Sequence, residues 1–199
     1  MKAQRFGLQH WLVSDVDPLE LLPRIEQAAQ DAELAEWAPG YETVLLRFQT
    51  RRSQNEVDDF LQGLATCGTA SESKQHLLEV DYSGEDLQSV AVRVGLTEAE
   101  VVRLHTAGHY RVRLLGFAPG FGYLEGLDPR LHVSRRARPR PRIEPGTVAI
   151  GGSHTGVYSV ATPGGWNCLG TTSTPLFRPA DQENPFLLAP GDYVRFAAI

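Results

Sequence analysis

The uneven placement of glycine and proline restricts the fold of this chain more than any other feature. Of 19 Gly and 13 Pro, residues 1–80 hold four and three, and residues 81–199 hold fifteen and ten. These residues cut a chain into short elements joined by tight turns, so the second stretch is suited to many short strands and the first to longer elements. Charge divides at the same place, with Lys and Arg against Asp and Glu giving −6 before residue 80 and +1 after it. The expectation is two units, 1–80 and 81–199, within the length range of one large or two small domains.

Composition closes off several classes. With 42% hydrophobic and 22% charged residues and a net charge of −5, the chain can bury a core and is not expected to be disordered. No run approaches the roughly 18 apolar residues of a membrane span, and the opening MKAQRFGLQHWLVSDVD lacks the apolar centre of a secretory signal. A cytoplasmic protein with no membrane partner is expected. Cys67 and Cys168 have no metal-ligand spacing and are expected to be reduced. His105 and His109 stand four apart, but Gly108 marks a helix end between them and no third ligand is evident, so no metal site is expected.

Along the first stretch, a strand is expected from Arg5 to Val13. Asp17-Pro18 with Glu20 then signals a helix whose apolar face is Leu19, Leu22, Ile25, Ala29 and Ala32, kinked or restarted at Pro23. Thr43 to Phe48 reads as a strand. Ser53 with Glu56 is a capping-box pair before a helix ending near Gly63 or Gly68, and Gln75 to Tyr82 is a third strand. The order β-α-β-α-β implies a small α/β layer. Two helices follow, Asp86 to Val94 and Thr97 to about Ala107. Short strand-like runs then recur at Tyr110–Leu115, Thr147–Ile150, Val157–Val160, Trp166–Leu169 and Tyr193–Phe196, the pattern of a small barrel or sandwich. The fold class is therefore α+β, a small α/β domain followed by a small antiparallel barrel or sandwich.

Four segments carry candidate chemistry. In Gly116-Phe117-Ala118-Pro119-Gly120-Phe121-Gly122-Tyr123, Pro119 removes a backbone donor and the phosphate-loop lysine is missing, so a nucleotide loop is a poor match. The segment is either a padded turn or the wall of an apolar pocket made by Phe117, Phe121 and Tyr123. Six arginines follow (Arg130, Arg135, Arg136, Arg138, Arg140, Arg142) with no acid among them. The acidic remainder of the chain argues against nucleic acid. Each Arg is either solvated or turned inward to hold a carboxylate or phosphate. If the segment is extended, Arg136, Arg138, Arg140 and Arg142 share one face and Arg135 takes the other. Gly151-Gly152-Ser153-His154 lies between two strand-like runs. Ser153 and His154 cannot form a serine triad, but His154 can serve as a hydrogen-bond donor or general base if it is not simply solvated. Pro163-Gly164-Gly165-Trp166 reads as a turn followed by a core aromatic.

In this order, Gly116-Phe117-x-Pro119-Gly120-Phe121-x-Tyr123-Leu124, Gly126-Leu127-Asp128-Pro129, Arg135, Pro139-Arg140, Pro145-Gly146-x-Val148-x-Ile150, Thr155-Gly156-x-Tyr158, Pro163-Gly164-Gly165-Trp166, Asn184-Pro185 and Pro190-Gly191-Asp192 resemble the allophanate hydrolase subunit 1 family. That family includes the B subunit of bacterial 5-oxoprolinase and an inhibitor of a sporulation histidine kinase. The resemblance covers about residues 80–199 by motif and the rest by element order.

It implies a cyclophilin-like barrel in the second unit and a 5-oxoprolinase component, which opens the cyclic amide of 5-oxo-L-proline to L-glutamate. The implied cosubstrate of the complex is ATP, with or without magnesium. The implied partners are the A subunit of 5-oxoprolinase and its biotin-dependent carboxyltransferase-like C subunit, with a small acidic amide as substrate. Carried onto this chain, the implied catalytic residues are His154 and Arg140. The implied substrate-binding residues are Phe117, Pro119, Gly120, Phe121, Tyr123, Arg135, Gly151, Gly152, Tyr158, Pro163, Gly164, Gly165 and Trp166. Alternatives of the same resemblance are a binding protein that inhibits a sensor histidine kinase and a hydrolase component specific for allophanate or another urea-derived amide. The chain departs from the family pattern at His154, where Gln is usual, at Gly122, where Pro is common, at Leu8, where Asp is usual, and in a shortened segment 82–87.

Overall fold

The computed structural model describes residues 1–29, 31, 33–66 and 73–199, and the chain divides into two compact units, Met1–Glu72 and Ser73–Ile199. Ala32, Cys67 and Gly68 lie outside the described residues.

The first unit runs β1 (Lys2–Arg5), β2 (His10–Ser14), α1 (Pro18–Ala28), β3 (Leu34–Pro39), β4 (Thr43–Phe48) and α2 (Gln54–Thr66). Its sheet is antiparallel throughout, in the order β1-β2-β4-β3. The expected strand Arg5–Val13 is in fact a hairpin, because the chain turns at Phe6, whose N–H donates to the His10 carbonyl at 2.9 Å. β3 was not anticipated, since only Leu34 of its six residues is fully buried and an edge strand shows little alternation. Asp17 caps α1 by accepting from the Leu19 N–H at 3.0 Å. The helix runs on through Pro23, so it does not restart there; the buried row Leu21, Leu22 and Ile25 outweighs the one backbone bond that proline removes. Ser53 and Glu56 form the expected reciprocal cap of α2. Alternate positions of β2 and β4 (Trp11, Val13, Val44, Leu46, Phe48) pack against Leu21, Ile25, Val57, Leu61 and Leu64 of the helices.

The second unit contains β5 (Gln75–Val80), α3 (Leu87–Val94), α4 (Glu98–Ala107), β6 (Tyr110–Leu115), β7 (Gly122–Glu125), β8 (Arg140–Ile143), β9 (Thr147–Gly151), β10 (His154–Val157), β11 (Thr162–Gly164), β12 (Asn167–Thr171) and β13 (Tyr193–Ala198). Seven of its strands make one sheet in the order β12-β9-β10-β7-β6-β13-β5, and β8 and β11 form a separate ribbon. β5, expected as the third strand of the first unit, belongs here instead. It pairs in parallel with β13 from Tyr193↔Gln75 to Ala198↔Val80, a partner more than a hundred residues away that nothing local in the sequence announces.

The sheet closes on itself just beyond β5. Asp81 and Thr171 exchange backbone hydrogen bonds at 2.9 and 2.8 Å, and the Gly84 and Asp86 N–H groups donate to the carbonyls of Leu169 and Cys168, both at 3.0 Å. Glycine is required at this seam, because a Cβ on Gly84 would lie 2.3 Å from the Leu169 carbonyl carbon. The result is a barrel, one of the two forms that the Gly/Pro pattern allows and the one that the family resemblance implies, with β5 and β13 as a parallel pair in an otherwise antiparallel sheet. Helices α3 and α4 complete its core with Val90, Ala91, Val101 and Leu104 against Leu78, Val112, Leu124, Val148, Ile150 and Val194. Among the described residues no helix is long and apolar enough to cross a membrane.

Candidate functional site

A second, aromatic cluster lies on the barrel beside the main core and opens into a pocket of about 170 Å³. Phe121, Tyr158 and Trp166 are almost fully buried. Phe121 meets both in edge-to-face geometry, with ring centroids 5.4 Å from Tyr158 and 5.5 Å from Trp166, the arrangement that aromatic quadrupoles favour. Tyr123 and Phe117 extend this wall. Phe117 has a left-handed backbone (φ 69) and is 60% exposed at the rim; few aromatic residues adopt that conformation.

Facing the rings are Arg135, Arg136 and Pro139, with Gly164 and Gly165 between the two walls. The Arg135 guanidinium lies over the Trp166 ring, 5.8 Å from its centroid. Arg135 has no ion-pair partner among the described residues. Burial raises the Tyr158 pKa, and the backbone hydrogen bond of Trp166 and the Arg135 charge oppose the rise. Gly164 is obligatory, since a Cβ there would come within 2.2 Å of the Tyr158 hydroxyl.

Of the residues expected to bind substrate, the structure therefore brings together Phe117, Phe121, Tyr123, Arg135, Tyr158, Gly164, Gly165 and Trp166. Five others are absent from the lining. Pro119 and Gly120 shape the turn behind it, where the Ser159 hydroxyl donates to the Pro119 carbonyl at 2.5 Å and Gly120 takes a φ of 76. Pro163 is exposed on β11. Gly151 supports the pocket from outside: its missing side chain leaves room for the Trp166 indole, which a Cβ would meet at 2.8 Å. Gly152 gives its N–H to the Val133 carbonyl at 2.8 Å.

The two residues expected to be catalytic do not line the pocket. All three guanidinium nitrogens of Arg140 are taken. Nη1 and Nη2 donate to Asp86 at 2.8 and 2.9 Å, and Nε and Nη2 donate to Glu85 at 3.2 and 2.9 Å. Four of its five N–H groups are thus engaged, and the side chain braces the structure. His154 opens β10, half-buried, with Nδ1 3.2 Å from the Ser153 hydroxyl and its ring edge-on to Tyr123 at 6.3 Å. That ring contact links it to the pocket-lining Tyr123. Burial lowers its pKa, Glu125 opposes the shift, and Arg135 and His132 reinforce it, so His154 is neutral at pH 7.

The sequence reading missed Asp86, Arg136 and Pro139. Asp86 is 2% exposed and accepts from Arg136 and Arg140. A run of arginines with no local acid needs a distant one wherever any of them is buried, and that was the available signal. Arg136 and Arg140 do point the same way, but Arg142 pairs with Glu144 on the surface and Arg130 with Asp128. Among the described residues no group of three His, Cys, Asp or Glu is placed to hold a metal ion.

A family model described as carboxyltransferase domain, subdomain C and D, matches residues 6–188. The chain is similar to the 5-oxoprolinase B subunit of Escherichia coli O157:H7, at 55% identity over 113 residues covering 57% of this chain and 51% of that protein. It is also similar to the 5-oxoprolinase B subunit of Bacillus subtilis, at 44% identity over 147 residues covering 71% and 60%. The chain thus spans between half and two thirds of the length of these curated relatives. Among solved structures, TTHA0988 matches with a TM-score of 0.81 and 36% identity, covering 100% of this chain and 39% of that one. The urea carboxylase of Kluyveromyces lactis matches with a TM-score of 0.72 at 20% identity, covering 99% and 21%, a likeness of fold alone.

Proposed function

Because the chain belongs to the carboxyltransferase domain, subdomain C and D, family, we propose that it acts as the B-type subunit of a 5-oxoprolinase, converting 5-oxo-L-proline to L-glutamate together with A-type and C-type subunits and ATP. The names of the curated relatives support this reading. The observation that carries it is Arg135, a cation without an ion-pair partner, beside an aromatic pocket of about 170 Å³.

That volume lies below the roughly 300–1,000 Å³ of pockets for drug-sized ligands and suits one small ring acid. The ring methylenes of 5-oxoproline would lie against Phe121, Tyr123 and Trp166, and its carboxylate would take charge-assisted hydrogen bonds from Arg135. ATP in the complex supplies activation of a resonance-stabilised lactam. This chain supplies substrate orientation and exclusion of water, and neutral His154 can accept a proton behind Tyr123.

Reconstitution with the candidate A and C subunits tests the proposal. The expected result is ATP hydrolysis that depends on 5-oxoproline and releases glutamate. Turnover of allophanate without turnover of 5-oxoproline, or inhibition of a sensor histidine kinase with no turnover, would overturn it.

A further inference from the structure

One buried acid lies outside the pocket yet holds its arginine wall. Asp86 stands on the barrel seam immediately before α3, where its backbone N–H donates to the Cys168 carbonyl at 3.0 Å and its Oδ2 accepts from the Cys168 N–H at 2.8 Å. The carboxylate is thereby fixed to β12. Its remaining capacity is filled by Arg136 Nη1 at 2.6 Å and by Arg140 Nη1 and Nη2 at 2.8 and 2.9 Å. Pro139 lies between these two arginines in sequence and, with Arg136, lines the pocket. The Arg136 N–H also donates to the Gly165 carbonyl at 2.7 Å, tying the same segment to the turn that forms the pocket's opposite border.

Asp86 and Glu85 pair with Arg136 and Arg140, whereas Arg135, which lines the pocket over the Trp166 ring, has no ion pair among the described residues.

We propose that Asp86 is a positioning residue: by pinning Arg136 and Arg140 to the barrel seam it sets the wall formed by residues 135–139, so that the pocket presents Arg135 to the carboxylate of its ligand. The identity of the substrate rests on the function proposed above; the geometry does not.

The test uses Asp86→Asn in the full chain, since an Asn oxygen can still accept from Cys168 while the charge that holds the arginines is gone. Hydrogen exchange should show lost protection at the Arg136 amide, with the β9 and β13 amides as protected as in the wild type. In the reconstituted complex KM for 5-oxoproline should rise about ten- to a hundredfold, the factor for losing one charge-assisted hydrogen bond, with kcat changed only a few-fold. Unchanged protection, or a fall in kcat with KM unmoved, would overturn the proposal. If Asp86→Asn does not fold, Arg140→Gln leaves Asp86 bonded to Arg136 and Cys168, and the same signs are expected at smaller size. The two readings fail separately: a wild-type complex that ignores 5-oxoproline overturns the proposed function, whereas unchanged protection of the Arg136 amide in Asp86→Asn overturns the positioning role.

Discussion

Arg140 meets Asp86 through two nitrogens, Nη1 at 2.8 Å from Oδ2 and Nη2 at 2.9 Å from Oδ1, and the Asp86 side chain is only 3% exposed. Burial alone would raise the Asp86 pKa, but the hydrogen bonds from Arg140 and the Cys168 N–H, with the Arg136 charge, bring it below the usual carboxylate value. The pair is part of the barrel's closure, which gives Arg140 a structural role. Arg140→Ala should destabilise the chain by about 2–4 kcal/mol, toward the lower figures for breaking a buried pair because Arg136 and Cys168 still serve the carboxylate. Urea unfolding of wild type and variant measures this.

Arg135 gives the opposite expectation. It is exposed and unpaired, so Arg135→Ala should change folding stability by no more than about 0.5 kcal/mol. If its guanidinium holds the substrate carboxylate, KM for 5-oxoproline should rise roughly ten- to a hundredfold. A paired measurement of melting temperature and steady-state kinetics reads both halves.

Gly151 is the position where one methyl group tests the pocket wall. A Cβ there would stand 2.8–2.9 Å from three atoms of the Trp166 indole, and Trp166 is too well packed among Phe121, Tyr123 and Arg135 to withdraw freely. Gly151→Ala should cost about 1–3 kcal/mol as overpacking and shift the Trp166 fluorescence, measured with Trp11 and Trp37 replaced by Phe.

The barrel was legible because its evidence is local: turns rich in Gly and Pro separate short strands, and the motif residues Phe121, Tyr158 and Trp166 do converge on one pocket. The capping boxes at Ser53 and Thr97 were legible for the same reason, since their partners lie three residues on. What the sequence could not show is long-range. β5 finds β13, and Asp86 finds Arg136 and Arg140 some fifty residues later. A charged residue carries no local mark of whether it will meet a ligand or another side chain. Arg140 and Arg135 therefore look alike in sequence and differ in the folded chain.

His105 yields a prediction about acid. Its ring is fully buried, stacked on Phe196 at 4.6 Å, with Nδ1 2.6 Å from the Tyr82 hydroxyl and Nε2 2.8 Å from Thr155 Oγ1. Thr155 spends its own proton on the Ala149 carbonyl at 3.1 Å, so Nε2 donates to Thr155 and Nδ1 accepts from Tyr82. Both nitrogens are satisfied only when the imidazole is neutral, and burial pushes its pKa from 6.5 down to about 3. The unfolded chain binds a proton below pH 6.5, and the folded chain does not until about pH 3. Stability is therefore complete above 6.5 and falls as the pH drops from there toward 3, by about 2 kcal/mol between pH 7.5 and pH 5. His154, also lowered by burial, adds a smaller loss of the same sign. His105→Gln keeps an acceptor for Tyr82 and a donor for Thr155 but does not titrate, so urea unfolding at the two pH values should show most of the difference removed. An equally steep loss in the variant would place the acid sensitivity elsewhere.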